Sequence, residues 1–89
     1  MQVVYKYLAN IGEKTLLVLP LGSKILTVQK QKEDICFWVL QSPNHGPTEV
    51  KTILKVGTGH TFDDVNYYQY IGTVQEFEGG LVWHYFEVN

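Results

Sequence analysis

Apolar residues along this chain recur at every second position rather than every third or fourth, and that spacing constrains its fold more than any other feature. A period of two puts alternate side chains on opposite faces of an extended strand, whereas a helix needs a period near 3.6. Val3, Tyr5 and Tyr7 alternate around Lys6 and open a first strand. Thr15 to Leu19 is a short apolar run closed by Pro20-Leu21-Gly22, and reads as a buried second strand. Ile25 to Gln31 and Ile35 to Gln41 give a third and a fourth, joined at the charged tip Lys32-Glu33-Asp34. Ser42 to Pro47 is built from turn-forming residues and reads as a loop. Glu49 to Val56 resumes alternation, with Val50, Thr52, Leu54 and Val56 on one face and Lys51, Ile53 and Lys55 on the other. Tyr67 to Phe77 and Leu81 to Val88 form a last hairpin across Glu78-Gly79-Gly80. Between these elements, Thr61 to Asp64 is expected to start a single helical turn. Seven short strands predict an all-β domain, either an antiparallel sandwich or a small barrel; periodicity alone leaves both open.

Eighty-nine residues make one domain, spanning 1–89. A chain of this size buries only about 60–65% of its unfolded surface, so oligomerisation would help it. Six Tyr, four Phe and two Trp supply large apolar area, and Trp38 and Trp83 are expected to pack in the core or an interface. The net charge is −2, with seven scattered Lys and no Arg, which disfavours nucleic-acid binding by phosphate neutralisation. No apolar run approaches the ~20 residues of a membrane span, and the N-terminus lacks the pattern of a secretory signal. Cys36 stands alone, so no intramolecular disulfide is expected and a reducing cytoplasm is the simpler home.

The residues that could carry chemistry concentrate in the last third. Gly57-Thr58-Gly59-His60 ends a strand, where glycine allows successive N–H groups to face an anion. It has no third spaced glycine and no following Lys-Ser/Thr, so a plain strand-ending turn is the competing reading. Thr58, Gly59 and His60 are candidates for phosphate or ribose contacts, and Lys51 and Lys55 for charge. Tyr67, Tyr68 and Tyr70 form an aromatic cluster, with Tyr68 or Tyr70 as a base-stacking candidate; covering the core from outside is the alternative. His45, His60, His84 and Cys36 lack the short fixed spacings of a zinc site, so neither metal nor cofactor is expected. His84 reads as a hydrogen-bonded strand residue and Cys36 as a small packed hydrophobe. Ser23 and Ser42 lack a nucleophile frame, so no catalytic residue is assigned and no enzyme is expected.

The chain resembles an uncharacterised family of short phage and prophage proteins over nearly its whole length. The resemblance rests on Tyr5-Lys6-Tyr7, on Pro20 to Gln29, on Phe37-Trp38-Val39-Leu40, and on the blocks Gly57-Thr58-Gly59-His60, Tyr70-Ile71-Gly72-Thr73 and Gly79 to Glu87. It implies a phage-encoded accessory protein acting in the cytoplasm of an infected bacterium. Such proteins often disarm host defence, either by sequestering a nucleotide-type signal or by plugging a host defence protein. A domain this small has little interior to spare, so a nucleotide pocket would form most easily between the subunits of a homo-oligomer.

Overall fold

The alternation folds as seven antiparallel strands in two sheets. The computed structural model describes residues 1–63 and 68–88, with the backbone alone at Tyr68. The strands are β1 (Val3–Leu8), β2 (Lys14–Pro20), β3 (Lys24–Gln31), β4 (Asp34–Gln41), β5 (Thr48–Gly57), β6 (Tyr68–Glu76) and β7 (Leu81–Val88). Sheet A has the order β1-β4-β3 and sheet B the order β2-β5-β7-β6. The sheets do not hydrogen-bond into a closed cylinder, so the open choice resolves to a sandwich. The expected helical turn over Thr61–Asp64 is corrected: Thr61 to Asp63 are irregular and Asp64 lies outside the described residues. The short turn falls instead at Phe77–Gly79, where Phe77, Glu78 and Gly79 all take positive φ to reverse the chain between β6 and β7. Tyr67, expected in the sixth strand, also lies outside the described residues. Among the described residues no helix is long and apolar enough to cross a membrane.

One core lies between the sheets. Leu17 and Leu19 of β2, Ile53 of β5, Val74 of β6 and Tyr85 of β7 meet Val28 of β3 and Phe37 and Val39 of β4. Phe37 and Tyr85 join the layers edge to face, with ring centroids 5.5 Å apart. Such a pair contributes about 0.5–1.5 kcal/mol beyond its buried area. The layers come closest where β6 crosses β3. A Cβ at Gly72 would stand 2.9 Å from Val28 Cγ1, so only glycine allows this approach. Two part-buried polar groups find side-chain partners. Tyr7 Oη donates to Gln41 Oε1 at 2.7 Å, and Thr15 Oγ1 accepts from the Asn10 N–H at 2.9 Å.

Burial settles which face of each strand turns inward. Trp83 packs against the core as expected. Trp38 alternates with the fully buried Phe37 and Val39, so it sits on the outer side of sheet A, half-buried, in register with Lys6 and Thr27. Cys36 is fully buried, as expected of a small hydrophobe. On β5 the inward face is the one with Lys51, Ile53 and Lys55, and the more apolar Val50, Thr52 and Leu54 turn outward, while Val56 on the same parity is covered near the strand's end. Ile53 fills the centre of the core, and the two lysines flank it toward the ends of the sandwich.

Candidate binding site

The outer face of sheet B carries a row of polar and aromatic groups that includes Thr58, Tyr70 and His84. At its edge, β5 ends at Gly57 and turns through Gly59, whose φ of +84° favours glycine. The turn is closed by His60 N–H donating to Gly57 O at 3.0 Å, and is tied to β7 by Thr58 N–H donating to Val82 O at 3.2 Å. Gly57 has a steric reason as well. A Cβ there would stand 2.7 Å from His60 Nδ1 and 3.2 Å from Trp83 Cζ3. The missing side chain is therefore what lets the His60 ring fold back beside Trp83.

From this turn a chain of side-chain hydrogen bonds runs across two strands. Thr58 Oγ1 lies 2.7 Å from His84 Nε2, Thr73 Oγ1 lies 3.0 Å from His84 Nδ1, and Tyr70 Oη lies 2.5 Å from Thr73 Oγ1. His84 and Thr73 are direct cross-strand partners. A neutral imidazole carries one N–H and one lone pair, so one threonine hydroxyl accepts from His84 while the other donates to it. Hydroxyls serve either tautomer, which makes the row a reversible set of donors and acceptors. Tyr70 and Thr73 are three residues apart and would face opposite sides of a regular strand. The irregularity between Tyr70 and Gly72 places both on the outer face.

An aromatic row borders this polar one. Phe86 lies between Tyr70, at 5.7 Å between ring centroids, and Phe62, at 5.5 Å. The Tyr70 and Phe62 rings are both about half exposed. Two shallow clefts flank the turn, one of about 200 Å³ between Thr58, His60, Leu81 and Trp83, and one of about 250 Å³ between Leu54, His60, Phe62 and Trp83. Each is smaller than the ~300–1,000 Å³ that encloses a drug-sized ligand.

The predicted site residues divide between the two faces of sheet B. Thr58 and Tyr70 stand at opposite ends of the His84–Thr73 chain, Gly59 forms the turn and His60 lines both clefts. The side chain of Tyr68 lies outside the described residues. Lys51 is not brought to this group, whereas Lys55 lines the second cleft together with His60, Phe62 and Trp83. Lys55 Nζ donates to Ile11 O at 2.9 Å and lies 4.5 Å from the centroid of the Trp83 ring on the inner side. Lys51 is held by Glu87 at 3.1 Å and Glu49 at 3.8 Å, also on the inner side. His84, Thr73, Phe86 and Phe62 complete the outer row and were not predicted as site residues. His84 and Phe86 share a parity on β7 that places them on one face. Their strand partners become legible only once the register and the bulge are known.

A third cavity, of about 230 Å³, opens at one end of the sandwich between Ala9, Ile11, Asp34, Lys55, Glu76 and Tyr85. Tyr85 is 2% exposed and its hydroxyl has no hydrogen-bond partner among the described residues. Burial, and then the charge of Glu76, push this hydroxyl up to about 12 from its ordinary 10. Glu76 itself accepts from Trp83 Nε1–H at 2.9 Å. Among the described residues, no three His, Cys, Asp or Glu side chains group as a metal site.

Residues 1–89, the whole chain, match a family described as a domain of unknown function, DUF7352, and the chain belongs to that family. No curated protein and no solved structure matches it.

Proposed function

We propose that this chain is a phage-encoded, non-enzymatic binding protein that sequesters a nucleotide-type immune signal, such as a cyclic oligonucleotide or an ADP-ribose derivative, in a homo-oligomer in the bacterial cytoplasm. The observation that carries this reading is the adjacency of the two outer rows. The half-exposed Tyr70 and Phe62 rings offer a base a surface on which to stack, and base–aromatic stacking is worth about 1–3 kcal/mol. Thr58 and Thr73 beside them, oriented by the two ring nitrogens of His84, keep unused hydroxyl lone pairs for ribose hydroxyls. Among the described residues, the outer face of sheet B carries no carboxylate that could orient His84 as a base, which favours binding over catalysis. The flanking clefts are small for a nucleotide, which favours a site completed by a second subunit. The phage setting draws on the resemblance described above.

Calorimetry and thermal shift against cyclic dinucleotides, cyclic trinucleotides and cyclised ADP-ribose products test this. A ligand at a hundredfold excess over its Kd stabilises the fold by about 2.7 kcal/mol, a rise of roughly 10 °C or more in Tm for a domain this small. Ligand recovered intact after heat denaturation marks sequestration rather than cleavage. A panel that leaves the melting curve unmoved rejects the reading for those signals. A second reading, direct inhibition of a host defence protein, draws on the exposed apolar residues Leu16, Val18 and Val50. It expects co-purification with one host protein through an interface of at least ~1,000 Å².

A further inference from the structure

We infer that the outer face of sheet B, on its β2–β5 side, is the surface through which two copies of this chain pair face to face. This deepens the oligomeric part of the reading above and holds whatever the ligand is. An antiparallel sheet with one face on the core and the other in water alternates apolar and polar side chains. Sheet B breaks that rule. Its inner face carries Leu17, Leu19, Ile53 and Tyr85, yet its outer face carries Leu16, Val18 and Val50, exposed by 61%, 65% and 61%. Val18 and Val50 are direct partners across β2 and β5, and Leu16 lies opposite Thr52 on the same side. Leu54, Phe86 and Val88 continue the apolar surface toward Tyr70 on β6.

Two properties of this face point to a second copy as its occupant. The first is charge. By register, Lys14 is the only charged residue on the outer face among the described residues, and it lies at the start of β2. Two such faces meet without like-charge repulsion, and the face offers almost no charge for a partner of opposite sign to recognise. The outer face of sheet A differs, since its apolar Val4, Leu8 and Leu40 are interrupted by Lys6 and Lys24. The second is size. The whole outer face, four strands about six residues long, covers roughly 400 Å² in projection at ordinary strand spacing and rise, and the β2–β5 half about 200 Å². Side-chain relief raises that half to the scale of a small, concentration-dependent interface rather than of a permanent one. A two-fold axis through the β2–β5 half stacks sheet on sheet, and the aromatic row at its border then comes to lie at the junction of the subunits.

Light scattering at 10–100 µM on wild-type protein, Val18→Lys, Val50→Glu, their equimolar mixture and Val4→Glu tests the assignment. Wild-type protein and Val4→Glu are expected at twice the 10.2 kDa of one chain. Val18→Lys alone and Val50→Glu alone are expected at 10.2 kDa, with circular dichroism and Tm close to wild type because both positions are solvent-facing in the single chain. Mixing the two restores the dimer, since opposite charges now meet across the face. A monomeric wild type overturns the proposal, and so do charge variants that stay dimeric or a Val4→Glu chain that falls apart. If either charge variant unfolds, Leu16→Thr, which removes apolar area without adding charge, is expected to weaken dimerisation at least tenfold; unchanged dimerisation overturns the proposal. A dimer that binds none of the nucleotide panel leaves this interface standing and rejects only the ligand reading.

Discussion

Replacing Tyr85 by Phe removes a single oxygen and should make the protein more stable. The ring of Tyr85 is held edge-on against Phe37, a contact that phenylalanine keeps. Its hydroxyl is buried without a hydrogen-bond partner among the described residues. A buried, unanswered polar group costs about 1–3 kcal/mol, and part of that gain is lost to the small void left behind. Tyr85→Phe is therefore expected to add about 1 kcal/mol at pH 7, raising Tm by about 4–8 °C. The effect grows with pH, and its sign follows from linkage. The unfolded tyrosine ionises near 10 and the folded one near 12, so between these values the unfolded state holds fewer protons and wild-type stability falls as pH rises. A full two-unit difference would be about 2.7 kcal/mol. Solvent at the cavity mouth screens part of this, leaving about 1–2 kcal/mol. Urea denaturation of both proteins from pH 7 to pH 11.5 reads the difference directly, because every other titrating group is common to the two. A variant less stable than wild type at pH 7 would refute the unpaired hydroxyl. A difference that stays flat from pH 9 to pH 11.5 would refute the raised ionisation.

Further outcomes follow from the close approaches and the ion pair. Gly72→Ala puts a methyl 2.9 Å from Val28 Cγ1 and should cost about 1–3 kcal/mol in urea denaturation. Gly46→Ala, with nothing within 4 Å, should lie within about 0.5 kcal/mol of wild type. Lys51→Met leaves Glu87, a carboxylate 12% exposed, without its ammonium, and should cost about 2 kcal/mol by the same measurement. Lys32 has a φ of 55° at the first of two turn residues, the position where one common hairpin turn takes glycine, so Lys32→Gly should raise Tm by a few degrees. Thr58→Ala should weaken ligand binding in calorimetry while moving the unliganded Tm by less than about 3 °C, because its side-chain bond to His84 is exposed.

The strands were legible because alternation, turn residues and charged tips all point the same way. Thr15 to Leu19 and Leu81 to Val88 fall in strands with the expected limits or one residue beyond. What the sequence could not settle was which face of a strand looks inward. On β5 it offers a Val50-Thr52-Leu54-Val56 face and a Lys51-Ile53-Lys55 face, and hydrophobicity alone favours burying the first. The fold buries the second, because Ile53 pairs with Thr15 and Glu87, and Lys51 finds its carboxylate on β7. The candidate site was half legible for the same reason. Thr58, His60 and Tyr70 carry suitable side chains close to glycine, while the lysines leave β5 on its inward face, where Lys51 is held by Glu87 and Lys55 lines the cleft beside His60. His84 and Thr73 join the site only through a cross-strand pairing.

The pairing pattern also fixes the order in which the chain can assemble. Among the described residues only β3–β4 and β6–β7 are hairpins; β1 pairs with β4, β2 with β5 and β5 with β7 across long stretches of sequence. Hairpins close in about 1–10 µs, whereas sheets dominated by distant pairings complete in milliseconds to seconds. During synthesis the delay is longer for β2. Its Leu16-Leu17-Val18-Leu19 run is synthesised before β5, and at ~5–20 residues per second the thirty-seven residues that follow Pro20 up to Gly57 take about 2–7 s to appear. For that interval this apolar run has no strand to pair with, which makes β2 a segment for a chaperone to cover.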